Sequence, residues 1–154
     1  CLKKNSASDR ENAAFTEKKV SAGLREMSME LPVPGILESP FGVFESKIFS
    51  YKKQKIEEKK YTKWFDYDKI KNSPCVRTRR QGDYLTVNSE GGRKKLNRIF
   101  IDEKIPAEMR DRLPVVAAGS EILWIPGGRM NEKYKITSTT GRVLELHYQG
   151  GALA

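Results

Sequence analysis

Short runs of strand-forming residues, separated by turn residues, dominate this sequence from Leu31 onwards. Pro34-Gly35 and the run at 39–42 (Ser-Pro-Phe-Gly) are turn signals. Between them and the Lys/Glu-rich loop at 52–60, residues 43–51 form a predicted strand. This alternation of short strand-forming runs and turns indicates a β-rich domain.

Further strands are predicted at 61–65, 76–80 and 142–148. Residues 115–118 and 121–125 flank Gly119-Ser120, which predicts a β-hairpin. In the strand at 76–80, Arg77 and Arg79 fall on one face. Because an inward pair of arginines is costly, we expect that face to be wet or bound to an anion.

Two short helices are also predicted. The first helix is predicted to begin with Arg93, Lys94 and Lys95. Leu96, Ile99 and Phe100 have the spacing of one helix face, and we expect these three side chains to point inward. Pro106 opens the second helix, at 106–112. The predicted fold class is therefore α+β, mainly β: a small, β-sandwich-like mixed domain with two short helices.

The charge is strongly positive. The 154 residues contain 29 Lys and Arg against 20 Asp and Glu, a formal net charge of +9. Residues 76–98 hold seven basic and two acidic side chains. Arginine-rich surplus charge suits phosphate-bearing partners, because the guanidinium fork binds two phosphate oxygens at once. A merely solvated basic face is the other interpretation, and composition does not separate RNA from DNA or from an anionic surface.

The sequence lacks the residues that several classes of function require. There is no apolar run of about 18 residues for a membrane span. Cys1 and Cys75 are the only cysteines, and His147 is the only histidine, so we expect no metal site and no catalytic residues. The glycines form no nucleotide-binding motif, and we expect no cofactor. We expect a reducing, cytoplasmic setting and, because the sequence begins with Cys, a longer parent protein.

The region 92–136 resembles the C-terminal domain of tRNA(Ile)-lysidine synthetases. The residues that carry the resemblance are Lys94-Lys95-Leu96, FIDEKIP at 100–106, EMRDRLP at 108–114, ILWIPG at 122–127, Arg129, and Glu132 to Lys135. The run RTRRQGD at 77–83 is similar to the arginine-rich entry to that domain. Together these blocks span about half of the chain in the family's order.

The resemblance implies an ATP-dependent ligase as the parent protein. Such enzymes adenylate the wobble cytidine of an isoleucine tRNA with a CAU anticodon, and the ε-amine of lysine then displaces AMP. Their N-terminal catalytic domain carries an SGGxDS motif and uses ATP with Mg²⁺. That motif is absent here, so we expect this chain to be inactive alone. The implied fold is similar to a module of phenylalanyl-tRNA synthetase β chains.

The resemblance also implies partners: isoleucine tRNA, gripped at its acceptor stem, and the parent's own N-terminal catalytic domain. No membrane partner is expected, and a homodimer is left open. A duplex stem presents a shallow minor groove and two lines of phosphates, which Lys and Arg suit better than stacking aromatics. We expect the RNA-facing set to be Arg77, Arg79, Arg80, Lys94, Lys95, Arg98, Arg110, Arg112, Arg129 and Lys133.

We expect the large aromatic side chains Trp64, Phe65, Phe100 and Trp124 to pack in the core rather than stack on bases. The chain divides into a linker or end of a preceding domain at 1–30, a β-rich lead-in at 31–75, the tRNA-binding domain at 76–148 and a tail at 149–154. The competing hypothesis is a non-catalytic β interaction domain. Its basic face would be generic, or would dock on the parent's catalytic domain.

Overall fold

The computed structural model describes residues 28–57 and 59–150, which form two β-sheets and two short helices. In chain order the strands are β1 (Ser28–Glu30), β2 (Gly35–Ser39), β3 (Gly42–Ser50), β4 (Thr62–Asp66), β5 (Cys75–Arg77), β6 (Tyr84–Thr86), β7 (Arg93–Lys95), β8 (Val115–Ala118), β9 (Glu121–Trp124) and β10 (Arg142–Gly150). The α-helices are α1 (Leu96–Asp102) and α2 (Ala107–Arg110). Single 3-10 turns occur at Tyr67–Lys69 and Glu132–Tyr134.

The larger sheet has six strands in the order β1-β5-β8-β9-β6-β7. Its neighbouring strands are antiparallel except for β6 and β9, which run parallel. The smaller sheet has four antiparallel strands in the order β2-β3-β10-β4. The long pairing of β10 with β3 runs from Arg142 opposite Ser50 to Gly150 opposite Gly42.

The main core lies between the two sheets. Phe44 of β3, Phe65 of β4 and Leu144 of β10 meet Trp124 of β9 there, and all four side chains are fully buried. Alternation places every second residue of β3 and β10 on this inner face. We call this side of the six-stranded sheet the sandwich side.

A second core lies on the opposite side of the six-stranded sheet, where Leu96, Ile99 and Phe100 of α1 pack against Leu85 of β6. We call this the helix side. Strand β8 lies between the two cores and is buried along its whole length, which explains its uninterrupted apolar sequence.

The mainly β fold class with two short helices is confirmed, as are the 115–125 hairpin and the inward face of α1. Gly119 has φ of 69° in the two-residue hairpin turn, a conformation that glycine adopts without strain. Two local expectations are wrong. The strand at 76–80 ends at Arg77, and residues 93–95 form strand β7 before the helix instead of its first turn.

The expectation that Trp64 packs in the core is also wrong, because Trp64 lies outside both cores and is only half-buried. Phe65, Phe100 and Trp124 are buried, as expected. Residues 28–30 of the predicted linker form β1, and residues 1–27 lie outside the described residues. The predicted lead-in and tRNA-binding stretches share one sheet, since β10 pairs with both β3 and β4. In the described part of the chain, no helix is long and apolar enough to cross a membrane.

Candidate nucleic-acid interface

Arg77, the first member of the predicted RNA-facing set, is buried. Only 1% of its surface is exposed, and its two terminal nitrogens each donate to one carboxylate oxygen of Asp83 at 2.9 Å. The guanidinium also donates to the carbonyl oxygens of Thr78 and Gly119. The expectation that Arg77 faces water or RNA is therefore wrong, because Asp83 neutralises its charge inside the protein.

The same carboxylate fixes the loop that follows β5. Asp83 accepts the backbone N–H of Arg80 at 2.7 Å, and the N–H of Asp83 donates to the carbonyl of Arg80. The carbonyl of Asp83 accepts the N–H of Leu96, the first residue of α1. Loop 78–83, which carries Arg79 and Arg80, is thereby attached to the start of the helix.

Arg79 joins three segments at the surface. Its Nε donates to Asp111 at 2.8 Å, just after α2, and its Nη1 donates to Asn97 of α1 at the same distance. A quarter of the Arg79 side chain remains exposed. Protein groups therefore bind part of the Arg79 guanidinium, and the rest of the side chain is accessible to solvent or a ligand.

Strand β7 sends its cations to opposite sides of the six-stranded sheet. Lys94 shares the helix side with its cross-strand partner Leu85 and pairs with Asp102 of α1. The hydrogen bond from Lys94 holds the pKa of Asp102 below its usual value. Arg93 and Lys95 therefore point to the sandwich side.

On the sandwich side, the guanidinium carbon of Arg93 lies 4.6 Å from the centre of the Tyr84 ring. Glu121 pairs in register with Tyr84 and lies 3.7 Å from the ammonium of Lys133. A basic group therefore lies on the sandwich side and consists of Arg93, Lys95 and Lys133. Arg93 was missing from the predicted set, although the alternation of β7 would have placed it beside Lys95.

The remaining predicted residues lie on the helix side or at the edge of the sheets. Arg98 pairs with Asp102 at 3.3 Å, and Arg110 donates to the carbonyl of Ile105 at 2.8 Å. Within the described residues, five predicted cations have no ion-pair partner: Arg80, Lys95, Arg110, Arg112 and Arg129. Arg80, Lys95 and Arg112 are exposed, and Arg110 and Arg129 are half-buried.

The structure provides no conspicuous catalytic arrangement in the part that it describes. No three His, Cys, Asp or Glu side chains lie close enough together to hold a metal ion there. His147 lies on β10, and its Nδ1 is 2.7 Å from the Thr62 hydroxyl, a cross-strand contact. The chemistry that the site offers is the binding of anions by distributed cations.

Comparisons of the sequence and the fold with known proteins identify a family. The profile described as the TilS substrate C-terminal domain matches residues 75–146. A solved structure, described as the crystal structure of a TilS C-terminal domain, superposes with a TM-score of 0.68 at 33% identity. The superposition covers 80% of this chain and 96% of the solved one.

This chain belongs to the TilS C-terminal domain family. Three relatives are named tRNA(Ile)-lysidine synthases. Those from Caldanaerobacter subterraneus subsp. tengcongensis and Clostridium tetani are 50% and 41% identical over 57% and 58% of the chain. The one from Geobacillus kaustophilus is 38% identical over 78% of the chain. The chain spans about a fifth of the length of the first two and 26% of the third.

Proposed function

We propose that this chain is the tRNA-recognition domain of a tRNA(Ile)-lysidine synthetase, and that it binds the acceptor-stem region of isoleucine tRNA with the CAU anticodon. Its family membership and the names of its relatives support this function. The observation that carries the RNA contact is that three members of the predicted set, Arg80, Lys95 and Arg112, are exposed and have no ion-pair partner in the described structure. Phosphates are the partners that such cations lack.

The parent enzyme, in this proposal, joins lysine to the wobble cytidine with ATP and Mg²⁺ held by its own N-terminal catalytic domain. Its setting is the cytoplasm, and the catalytic domain is a second partner of this chain. The residues described here supply binding and orientation only. Incubation of the 154-residue chain with ATP, Mg²⁺, lysine and the tRNA is therefore expected to form no lysidine.

The structure changes the proposed RNA-facing set in two places. Arg77 leaves the set because it is buried, and Arg93 joins it because it is exposed on the same side of β7 as Lys95, with its guanidinium over the Tyr84 ring. The remaining members are kept as proposed contacts: Arg79, Arg80, Lys94, Lys95, Arg98, Arg110, Arg112, Arg129 and Lys133.

Cations on both sides of β7 suit a duplex. One strand of phosphates can follow the helix side near Arg80 and Arg98, while the other follows the sandwich side near Lys95. Contacts of this kind recognise the shape of an A-form stem more than its bases. Each phosphate that is neutralised releases counterions, so the affinity falls steeply with salt.

The experiment that tests this function is a salt series of binding to three RNAs. They are the whole isoleucine tRNA with the CAU anticodon, a hairpin of its acceptor stem, and a methionine tRNA with the same anticodon. We expect the hairpin to bind nearly as well as the whole tRNA, and the methionine tRNA to bind more weakly. Equal, weak binding of all three would instead support a generic basic face.

A further inference from the structure

Trp64 is held in a fixed orientation outside the cores. Its indole Nε1 donates to Glu145 of β10 at 2.9 Å, and its ring meets the Phe49 ring edge-on with centroids 5.0 Å apart. Both contacts lie on the outer face of the four-stranded sheet, since Trp64 and Glu145 are opposite each other in the strand register. The half-buried indole is therefore preorganised before any ligand arrives.

A cavity of about 510 Å³ opens beside this indole. Its apolar wall includes Trp64 and Met130, and Arg129, whose guanidinium has no ion-pair partner among the described residues, also lines it. The volume lies in the range of small-ligand sites, which is about 300–1,000 Å³. Planar aromatic and guanidinium groups together are typical of sites that stack unpaired nucleobases.

The cavity also lies along the edge of the four-stranded sheet. Strand β4 is the last strand of its sheet, so the row of N–H and C=O groups that faces away from β10 has no strand partner in the described structure. Thr62 and Trp64 of this strand line the cavity, and their backbone groups face away from β10 because Tyr61, one residue before Thr62, accepts the N–H of Tyr148. Such an edge offers alternating donors and acceptors, which is what the hydrogen-bonding edge of a base requires.

The charges around the cavity are balanced. Three cations and three carboxylates line it: Lys63, Arg129, Lys135, Glu57, Glu103 and Glu132. Lys135 and Glu132 pair with each other at 2.9 Å. This lining differs from the exposed cations described above, and it favours a ligand held by stacking and hydrogen bonds over a bare phosphate.

We propose that this cavity binds one unpaired nucleotide. The base stacks against the Trp64 indole, and the hydrogen-bonding edge of the base contacts the backbone of β4. The inference rests on the proposed function, and the nucleotide belongs to the unpaired 3′ strand that continues from the acceptor stem. Glu103, directly after α1, lines the cavity. The site therefore adjoins the helix side, where Lys94 and Arg98 are proposed to meet the duplex.

The test compares two hairpins with the same acceptor-stem duplex, one blunt and one with a four-nucleotide 3′ overhang. We expect the overhang to tighten binding by about tenfold, the usual effect of stacking one base. Because the cavity lining is balanced, this ratio is expected to stay constant from about 50 to 200 mM salt while both affinities fall. An overhang that adds nothing would overturn the inference.

Intrinsic fluorescence gives a second readout. The chain has two tryptophans, and Trp124 is fully buried. Stacking on Trp64 is therefore expected to quench the emission when the overhang hairpin binds, and the blunt hairpin is expected to leave it nearly unchanged. Equal quenching by both hairpins would contradict stacking of the overhang.

Variants separate this site from the duplex site. Trp64→Leu is expected to abolish the overhang's tenfold gain without changing the affinity for the blunt hairpin, and Trp64→Phe is expected to restore part of the gain. Tyr51→Leu, which changes a half-buried aromatic residue outside the cavity lining, is the matched control and keeps the gain. Blunt-hairpin binding shows that each variant is folded.

The outcomes distinguish the two proposals. If the blunt hairpin binds and the overhang adds no affinity and no quenching, the nucleotide site is wrong and the acceptor-stem function stands. If Trp64→Leu retains the full gain, the overhang binds elsewhere and the inference is overturned. If neither hairpin binds, the proposed function itself fails.

Discussion

Arg77 and Asp83 form a bidentate ion pair inside the protein, with two N–O distances of 2.9 Å and both side chains almost fully buried. Asp83 lies six residues after Arg77 and also accepts the N–H of Arg80. The pair thus connects the end of β5, loop 78–83 and, through the carbonyl of Asp83, the start of α1. The first arginine of the basic run at 77–80 thus stabilises the loop that carries the next two arginines.

Removal of one partner of this pair is expected to be strongly destabilising. Asp83→Ala leaves the Arg77 charge buried without its counter-ion, which lowers the free energy of unfolding by about 3–5 kcal/mol. Urea unfolding measures this loss. The double variant Arg77→Met/Asp83→Leu is expected to recover much of it, because no unpaired charge remains.

The exposed pair of Arg142 and Asp68 provides the matched control. Its N–O distance is 2.7 Å, but about half of each side chain is exposed. Asp68→Ala is therefore expected to cost less than about 1 kcal/mol. Similar losses for Asp68→Ala and Asp83→Ala would contradict the structural role assigned to the buried pair.

Arg80 and Lys95, two exposed members of the predicted set without an ion-pair partner in the described structure, are expected to control RNA affinity because of where they lie. Arg80→Ala and Lys95→Ala should each weaken hairpin binding by about three- to tenfold and reduce the slope of log K against log salt by about one. Lys47→Ala removes the same charge from an exposed site on β3 of the other sheet and is the control. If Lys47→Ala weakens binding as much, net charge rather than location determines the affinity.

Local periodicity predicted most elements of the fold. The spacing of Leu96, Ile99 and Phe100 predicted the inward face of α1, and Gly119-Ser120 between two apolar runs predicted the hairpin. Strand β7 was missed because three consecutive charged residues have little strand preference. They become a strand through pairing with β6, a contact between distant residues that local propensity does not encode.

The site was less predictable for the same reason. The basic segment at 76–98 is visible in the sequence, but alternation alone does not reveal that Asp83 neutralises Arg77 across a turn. Trp64 was assigned to the core because large aromatics usually bury, yet it lies on an outer sheet face. Which face of a strand is covered depends on the packing of the whole domain.

Asn131 was also missed and is expected to stabilise the loop after β9. It is fully buried, its Nδ2 donates to the carbonyl of Ile122 at 2.8 Å, and its Oδ1 accepts the N–H of Lys133. Asn131→Ala leaves these two backbone groups unsatisfied and should cost about 1–3 kcal/mol in urea unfolding. Asn72→Ala, at an exposed position, should change stability by less than about 0.5 kcal/mol.

The free energy of unfolding is expected to fall at alkaline pH because two tyrosines are buried. Burial raises the pKa of Tyr148, and burial together with the hydrogen bond to Glu121 raises the pKa of Tyr134. Both contributions are fully present below the unfolded value near pH 10 and are lost as pH rises above it, because only the unfolded chain releases the protons there.

Urea unfolding between about pH 8 and 11 tests this sign. The free energy of unfolding should fall by up to about 1.4 kcal/mol per pH unit for each tyrosine, and Tyr134→Phe should flatten the fall. Tyrosinate absorbance should rise only as the chain unfolds for these two groups. A Tyr134→Phe profile as steep as that of the unchanged chain would show that other groups govern the alkaline transition.

The measurement that tests the central claim most directly is hydroxyl-radical footprinting of intact isoleucine tRNA with the CAU anticodon, bound to the 154-residue chain. The account predicts protection of both strands of the acceptor stem, and loss of that protection in an Arg80→Ala/Lys95→Ala double variant. Protection centred on the anticodon arm, or spread evenly over the tRNA, would contradict it.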